Sequence, residues 1–138
     1  MEQHVDPDRE RFALFKDLPR EGVIHMLNLV RLNDTAVYDD GTMVTGSEAY
    51  GAYSRESAPI FSALGGRIVW SGKFELMLIG PQSEHWDRCF IAEYPSAEAF
   101  ITMIRDPDYQ KAVRHRQAAV ATSRLIRLRP GEAGDGFG

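Results

Sequence analysis

The sequence predicts an α+β fold in which four strands and two main helices follow one another as β-α-β-β-α-β. Three observations carry this reading. The run Val23 to Arg31 is apolar on both alternating faces, with Ile24, Met26 and Val30 on one and Val23, Leu27 and Leu29 on the other. That is the pattern of a central strand covered on both sides. Tyr50, Tyr53, Ser57, Ile60, Phe61 and Leu64 recur at helical spacing and share one stripe. Gly65-Gly66, Pro95-Ser96, Asp106-Pro107 and Pro130 then cut the rest of the chain into segments of element length.

Taken in order, Asp6-Pro7 offers a helix start, because the Asp side chain can accept a backbone N–H and Pro is tolerated at the first helical position. A short helix through Phe12, Phe15 and Leu18, stopped by Pro19, completes an N-terminal arm over residues 1–21. The first strand follows, then a polar loop from Asn33 to Thr45 with Asp39-Asp40-Gly41 as its turn. Ser47 is a cap for the first main helix and Glu48 suits its first turn. Pro59 removes a backbone donor inside that helix and is expected to kink it near Glu56–Ala58. Gly65-Gly66 ends it.

The second strand is Arg67 to Ser71, with a bulge at Gly72 before an extension through Phe74–Ile79. A turn at Gly80-Pro81-Gln82-Ser83 leads to a third strand, Trp86 to Tyr94. Ser96 caps a helix through Phe100, Met103 and Ile104, and Asp106-Pro107 restarts a helix to about Thr122. Ser123 to Arg129 is the last strand. The order is ferredoxin-like, a four-stranded antiparallel sheet with helices on one face. The body spans residues 22–130, and the glycine-rich residues 131–138 are expected to form a flexible tail. A sheet with one bare face should be polar on alternate positions of its first strand, and this one is not. A second copy packed sheet to sheet, a dimeric α+β barrel, is the expected cover.

Composition narrows the function classes. The chain has 138 residues, 16 basic against 20 acidic side chains, and a formal charge of −4. That balance disfavours a general nucleic-acid binder, which carries a basic surface. One cysteine cannot make an internal disulfide. The segments Val23–Val30 and Leu76–Gly80 fall far short of the roughly 20 apolar residues of a membrane span, and no basic-then-apolar leader opens the chain, so a cytoplasmic location is expected.

His25-Met26-Leu27-Asn28-Leu29, Ser47-Glu48-Ala49-Tyr50, Gly65-Gly66, Ile79-Gly80, Trp86-Asp87, Tyr94-Pro95-Ser96 and Asp106-Pro107-Asp108-Tyr109, in that order, resemble the domain-of-unknown-function family 1330 over about Val23 to Leu128. The resemblance implies a dimeric α+β barrel of two ferredoxin-like subunits. It implies no catalytic residue, because the family's reaction is unassigned. Other proteins on that scaffold include cofactor-free quinol monooxygenases, muconolactone isomerases and haem proteins.

The candidates for chemistry are polar residues set among apolar ones. His4, His25, His85 and His115 lack metal-ligand spacing, so no metal and no cofactor is expected. His115 would be the first axial ligand for a haem, but it falls opposite the apolar stripe of its helix, which predicts exposure. Arg116 lies within the stripe Tyr109, Val113, Val120, either as a structural arginine reaching an edge or as a group for an anionic ligand or enolate. Asn28 and His25 are the polar residues of the first strand and point to opposite faces. Each reads either as a satisfied structural group or as part of a ligand cavity, Asn28 as an orienting group and His25 as a proton carrier. Trp70, beside Gly72, is a candidate cavity wall. Asp87 is a second candidate proton carrier, or a strand-end residue pairing with Arg116 or Arg67. Tyr50 and Tyr53 read as helix–sheet core, and Cys89 as a small buried residue. The expected function is binding of a small organic molecule in an apolar cavity, with cofactor-free proton transfer or oxygenation as the chemistry such a site could run. The alternative is a non-catalytic binding or stress-associated barrel.

Overall fold

The computed structural model describes residues 2–137. Met1 and Gly138, the outermost residues of the expected arm and tail, lie outside the described residues. The elements run α1 (Arg9–Asp17), β1 (Ile24–Leu32), β2 (Thr35–Val37), β3 (Met43–Thr45), α2 (Gly46–Ala63), β4 (Arg67–Gly72), β5 (Arg88–Tyr94), α3 (Ala97–Arg105), α4 (Pro107–Ala119) and β6 (Val120–Leu128). The main sheet has the order β4-β5-β1-β6 with every neighbouring pair antiparallel, which is the ferredoxin-like arrangement. A small second sheet pairs β2 with β3. No helix among the described residues is long and apolar enough to cross a membrane.

Register assigns the faces. Ile24, Met26 and Asn28 of β1 sit opposite Tyr94, Ala92 and Phe90 of β5, and this side meets the helices. Ile24, Met26, Ala92 and Tyr94 form one buried cluster with Phe100 and Met103 of α3 and Tyr109 of α4. Val30, Ala49, Tyr50, Ala119 and Val120 form a second, capped by Ala36 of β2. Leu27 and Leu29 point the other way, opposite Ile91 and Cys89 of β5 and beside Ile126 and Arg124 of β6. Neither buried cluster includes a residue of that second face.

Local chemistry fixes the helix ends. Ser96 accepts from the Ala99 N–H, and Asp106 accepts from Asp108 and Tyr109, so α3 and α4 begin where side-chain caps stand. Three caps or stops differ from expectation. Asp8, not Asp6, starts α1, because Asp8 accepts the Arg11 N–H while Asp6 is drawn to Arg116 and Gln117. Thr45, not Ser47, caps α2, and the Ser47 hydroxyl instead accepts from Arg88. The helix expected to continue to Thr122 ends at Ala119, where Val120 turns extended and β6 begins.

Three further segments depart from the sequence reading. The expected loop from Asn33 to Thr45 holds the β2–β3 hairpin, its turn closed by Tyr38–Thr42 and Tyr38–Gly41 backbone bonds with Gly41 at φ 87°. The irregularity in β4 falls between Ile68 and Trp70, not at Gly72. Phe74–Ile79 forms no strand, so the connection from β4 to β5 is irregular. As expected, Pro59 lies inside α2, which spans Gly46–Ala63.

The N-terminal arm is strapped to the edge strand β6. His4 donates its N–H to Thr122 and its carbonyl accepts from the Ser123 N–H at 2.7 Å. Arg116 donates to the Val5 carbonyl and to the Ser123 hydroxyl. Arg127 donates to the Phe15 and Pro19 carbonyls, which holds the far end of α1. The helix itself buries no residue fully, so these polar contacts and the Phe12 and Phe15 rings keep it in place.

Two outcomes follow from this packing. A Cβ at Gly46 would lie 1.8 Å from the Asn33 carbonyl oxygen, so Gly46→Ala is expected to cost roughly 1–3 kcal/mol in denaturant unfolding. An unchanged midpoint would show that the approach is not close. Replacing Arg116 with Gln is expected to speed hydrogen exchange across residues 4–8 while β1 stays protected; equal protection of the arm would deny Arg116 its strapping role.

Candidate functional site

Between the helices and the sheet lies a cavity of about 1250 Å³. Its floor is the helix-facing side of the sheet, where Met26, Asn28, Phe90 and Ala92 present short or flat side chains. Its roof is Tyr50 and Tyr53 of α2 and Tyr109 and Val113 of α4. The arm and α1 close one side with Val5, Phe12 and Phe15. The space exists because large rings stand around it: Tyr94 meets Phe61 and Phe100 edge to face, at 5.2 Å between centroids in both pairs, and Tyr53 meets Tyr109 at 6.1 Å.

Four tyrosines stand in the lining. The Tyr53 and Tyr109 hydroxyls are 2.7 Å apart and share a hydrogen bond, and the Tyr94 hydroxyl donates to the Met103 sulfur. The Tyr50 hydroxyl has no partner among the described residues and is not sealed from the cavity. Burial pushes all four phenols above their usual range, so at neutral pH they are hydrogen-bonding acids and not bases.

The residues singled out from sequence do not all converge. Asn28 lines the cavity, with its amide Nδ2 donating to the Met26 carbonyl at 3.0 Å and its Oδ1 left open. Arg116 also lines it, but its guanidinium is engaged by Val5, Ser123 and Asp6. Trp70 sits opposite Ile91 on the other face of the sheet and is 50% exposed. The space left by Gly72 is filled by the Trp70 ring itself, since a Cβ there would meet it at 2.8 Å. His25 is on that second face too, where its Nε2 donates to Glu93 at 2.8 Å. His25 and Arg67 together hold the Glu93 carboxyl below the usual carboxylate range. Asp87 does not line the cavity. Its carboxylate accepts the Leu32 N–H and its own N–H donates to the Val30 carbonyl, both at 2.7 Å, so it ties the end of β1 to the approach of β5.

His115 reverses its expectation of exposure. It is 8% exposed, because the unforeseen hairpin lies across it. Its Nδ1 and the Tyr38 hydroxyl share a hydrogen bond at 2.6 Å, and its Nε2 faces the Glu56 carboxylate. Cys89 is half-buried on the second face, and burial pushes its thiol up, so it is not an activated nucleophile. No group of three or more His, Cys, Asp or Glu among the described residues is placed to hold a metal ion.

Arg88 is the cavity residue that the sequence reading passed over. It precedes Phe90, Ala92 and Tyr94 on the helix-facing side of β5, a charge in an apolar row. Arg88 on its strand, like Arg116 on its helix, is a cation at the spacing of an apolar row, a signal present in the sequence.

Comparison with known proteins places the chain. The family model for a domain of unknown function (DUF1330) matches residues 41–127, so the motif around His25 and Asn28 precedes the matched region. The crystal structure of methylated RPA0582 protein is 62% identical, covers 98% of this chain and 100% of its own, and superposes with a TM-score of 0.94. A second structure of RPA0582, a protein of unknown function from Rhodopseudomonas palustris, is 63% identical over 96% of this chain and 100% of its own, with a TM-score of 0.91. SnoaB, a cofactor-independent oxygenase from Streptomyces nogalater, shares the fold at 13% identity and a TM-score of 0.53, over 81% of this chain and 96% of its own. No curated protein matches the sequence. Matched over most of its sheet and helices, this chain belongs to the domain of unknown function family DUF1330.

Proposed function

We propose that the protein is a homodimeric α+β barrel that binds a small organic molecule in the helix–sheet cavity of each subunit. The observation that carries the binding reading is the lining: aromatic and aliphatic walls that carry the open Tyr50 hydroxyl, the Tyr53–Tyr109 pair and the Asn28 amide, with arginines among them. This is the composition of small-molecule sites in general. Binding is favoured over proton transfer because the two side chains read as proton carriers, His25 and Asp87, are absent from the lining and engaged elsewhere. The phenols are held neutral by burial and do not replace them.

The dimer reading rests on the second face of the sheet. Leu27, Leu29 and Ile91 form its middle, and around them Val23 is 47% exposed, Trp70 50%, Ile126 43% and Leu128 40%. A contiguous apolar patch of this kind is a protein contact in the absence of other cover, and a twofold axis lets one face cover its own copy. The Glu93–His25–Arg67 cluster sits at one end of the patch with its charges already paired.

Each half of the proposal has its own experiment. Fluorescence titration with neutral N-phenyl-1-naphthylamine is expected to saturate. Gly51→Leu, which adds a side chain at a cavity-lining helix position with only the Arg55 tip nearby, is expected to weaken that binding at least about fivefold with no loss of melting temperature. Binding that is unchanged in the variant places the probe elsewhere. Light scattering behind size exclusion is expected to give twice the 15.5 kDa chain mass, and Ile126→Asp is expected to shift it to a single chain. A monomeric wild-type protein at micromolar concentration would falsify the dimer.

A further inference from the structure

We infer that the cavity takes an apolar molecule carrying one anionic oxygen group, a carboxylate or an ionised phenol, seated with that group between Arg88 and Tyr50. The inference rests on the cavity-binding reading above and goes beyond it by assigning the ligand's charge and direction.

The first observation is a reversal of charge. The chain as a whole is acidic, at −4, yet the cavity is lined by five arginines (Arg11, Arg88, Arg116, Arg124 and Arg127) against two aspartates, Asp6 and Asp8, with no lysine and no glutamate. An acidic protein that collects arginine around a concavity of this size sets up a local field for anions. The second observation is how that charge is used. Arg116 faces Asp6, and Arg124 faces Glu84. Arg127 is spent on two backbone carbonyls and lies over the Phe15 ring, at the arm side of the cavity. Arg88 and Arg11 have no carboxylate within ion-pair distance among the described residues, and of the two Arg88 is the one that lies over the Tyr50 ring. Its bonds go to the Asp87 carbonyl and the Ser47 hydroxyl, both neutral. The nearest acid in sequence, Asp87, directs its carboxylate to the Leu32 N–H.

The third observation is the neighbour. The Arg88 guanidinium lies 6.0 Å from the centre of the Tyr50 ring, and the Tyr50 hydroxyl is the one phenol of the four without a partner among the described residues. An unpaired guanidinium beside an unpartnered, fully protonated phenol offers charge-assisted donors to one oxyanion. The floor next to them supplies the complement. Phe90 follows Arg88 on the same side of β5 and pairs with Asn28, whose open Oδ1 accepts from a ligand O–H or N–H. From there the apolar cluster of Met26, Ala92, Phe100 and Met103 continues the lining, so the uncharged body of the ligand runs away from Arg88 into the interior.

The experiment compares 2-naphthoate with its uncharged amide, 2-naphthamide, by calorimetric titration at neutral pH and low salt. The acid is expected to bind at least about tenfold more tightly than the amide, as one charge-assisted contact provides. Arg88→Gln is expected to erase the difference by weakening the acid alone, and Tyr50→Phe to reduce the acid's affinity severalfold. Raising the salt concentration on the wild-type protein gives a check independent of any variant's folding, with the acid's advantage shrinking as exposed charge is screened. Equal binding of acid and amide, or an acid preference that survives both Arg88→Gln and high salt, overturns the charge assignment and leaves the cavity reading standing. Failure of both compounds to bind overturns both readings.

Discussion

Strand β1 lies between β5 and β6 with apolar side chains on both faces, so the sheet built around it has to be covered twice. On one side the chain does this itself. Helices α2, α3 and α4 lay Tyr50, Phe100, Met103 and Tyr109 over Ile24, Met26 and Val30, and the ends of β1 are sealed. On the other side no part of either buried cluster reaches Leu27, Leu29 and Ile91. The same pattern that makes β1 central therefore leaves a bare face, and the proposed dimer is the answer to that constraint.

The cavity is a second consequence of the same strand. At Asn28 the helix-facing row of β1 is interrupted by an amide, opposite Phe90 and between Met26 and Val30. The tyrosines above it are long and rigid, and they prop α2 and α4 away from the sheet more than aliphatic residues would. Arg88 and Arg116 then enter from β5 and α4 as the charged ends of otherwise apolar rows. Their fates differ because of their surroundings. Arg116 meets the arm, whose Val5 carbonyl and Asp6 carboxylate engage it, whereas Arg88 meets only neutral oxygens. A residue chosen from sequence as a ligand contact thus serves the wall of the site, and one not chosen is the freer cation.

Much of the fold was legible because its signals are local. Ser96 and Asp106 cap the helices they were expected to cap, Gly65 with φ 83° ends α2, and β1 occupies the run that was read as a central strand. The misses have a common cause. The β2–β3 hairpin has three-residue strands of Thr, Ala, Val and Met, Val, Thr, too short for periodicity to register, and its ladder is held by Ala36 docking under Val30 and Tyr50. The burial of His115 depends on that hairpin, since Tyr38 at its turn is what reaches the imidazole. The start of β6 three residues early depends on long-range pairing, with Val120 and Thr122 set opposite Leu32 and Arg31 of β1.

The sequence by itself determined the β-α-β-β-α-β order of the main sheet and its helices, the starts of α3 and α4 at Ser96 and Asp106, the two-faced character of β1 and the presence of unusual polar groups within apolar rows. All of these are properties of neighbours within about one turn or one strand, where spacing alone decides which side chains share a face. Only the tertiary structure decided which of those polar groups meet. Asn28 and His25 are three residues apart and look onto different spaces, while Asn28, Tyr50 and Arg88 come from three elements and line one cavity. Trp70 and Asp87 lie on or beside the strands expected of them, yet register turns Trp70 to the open face and a backbone N–H from β1 claims Asp87. Strand register, one residue either way, exchanges the two faces of a sheet, and it is fixed by long-range pairing that no local pattern contains.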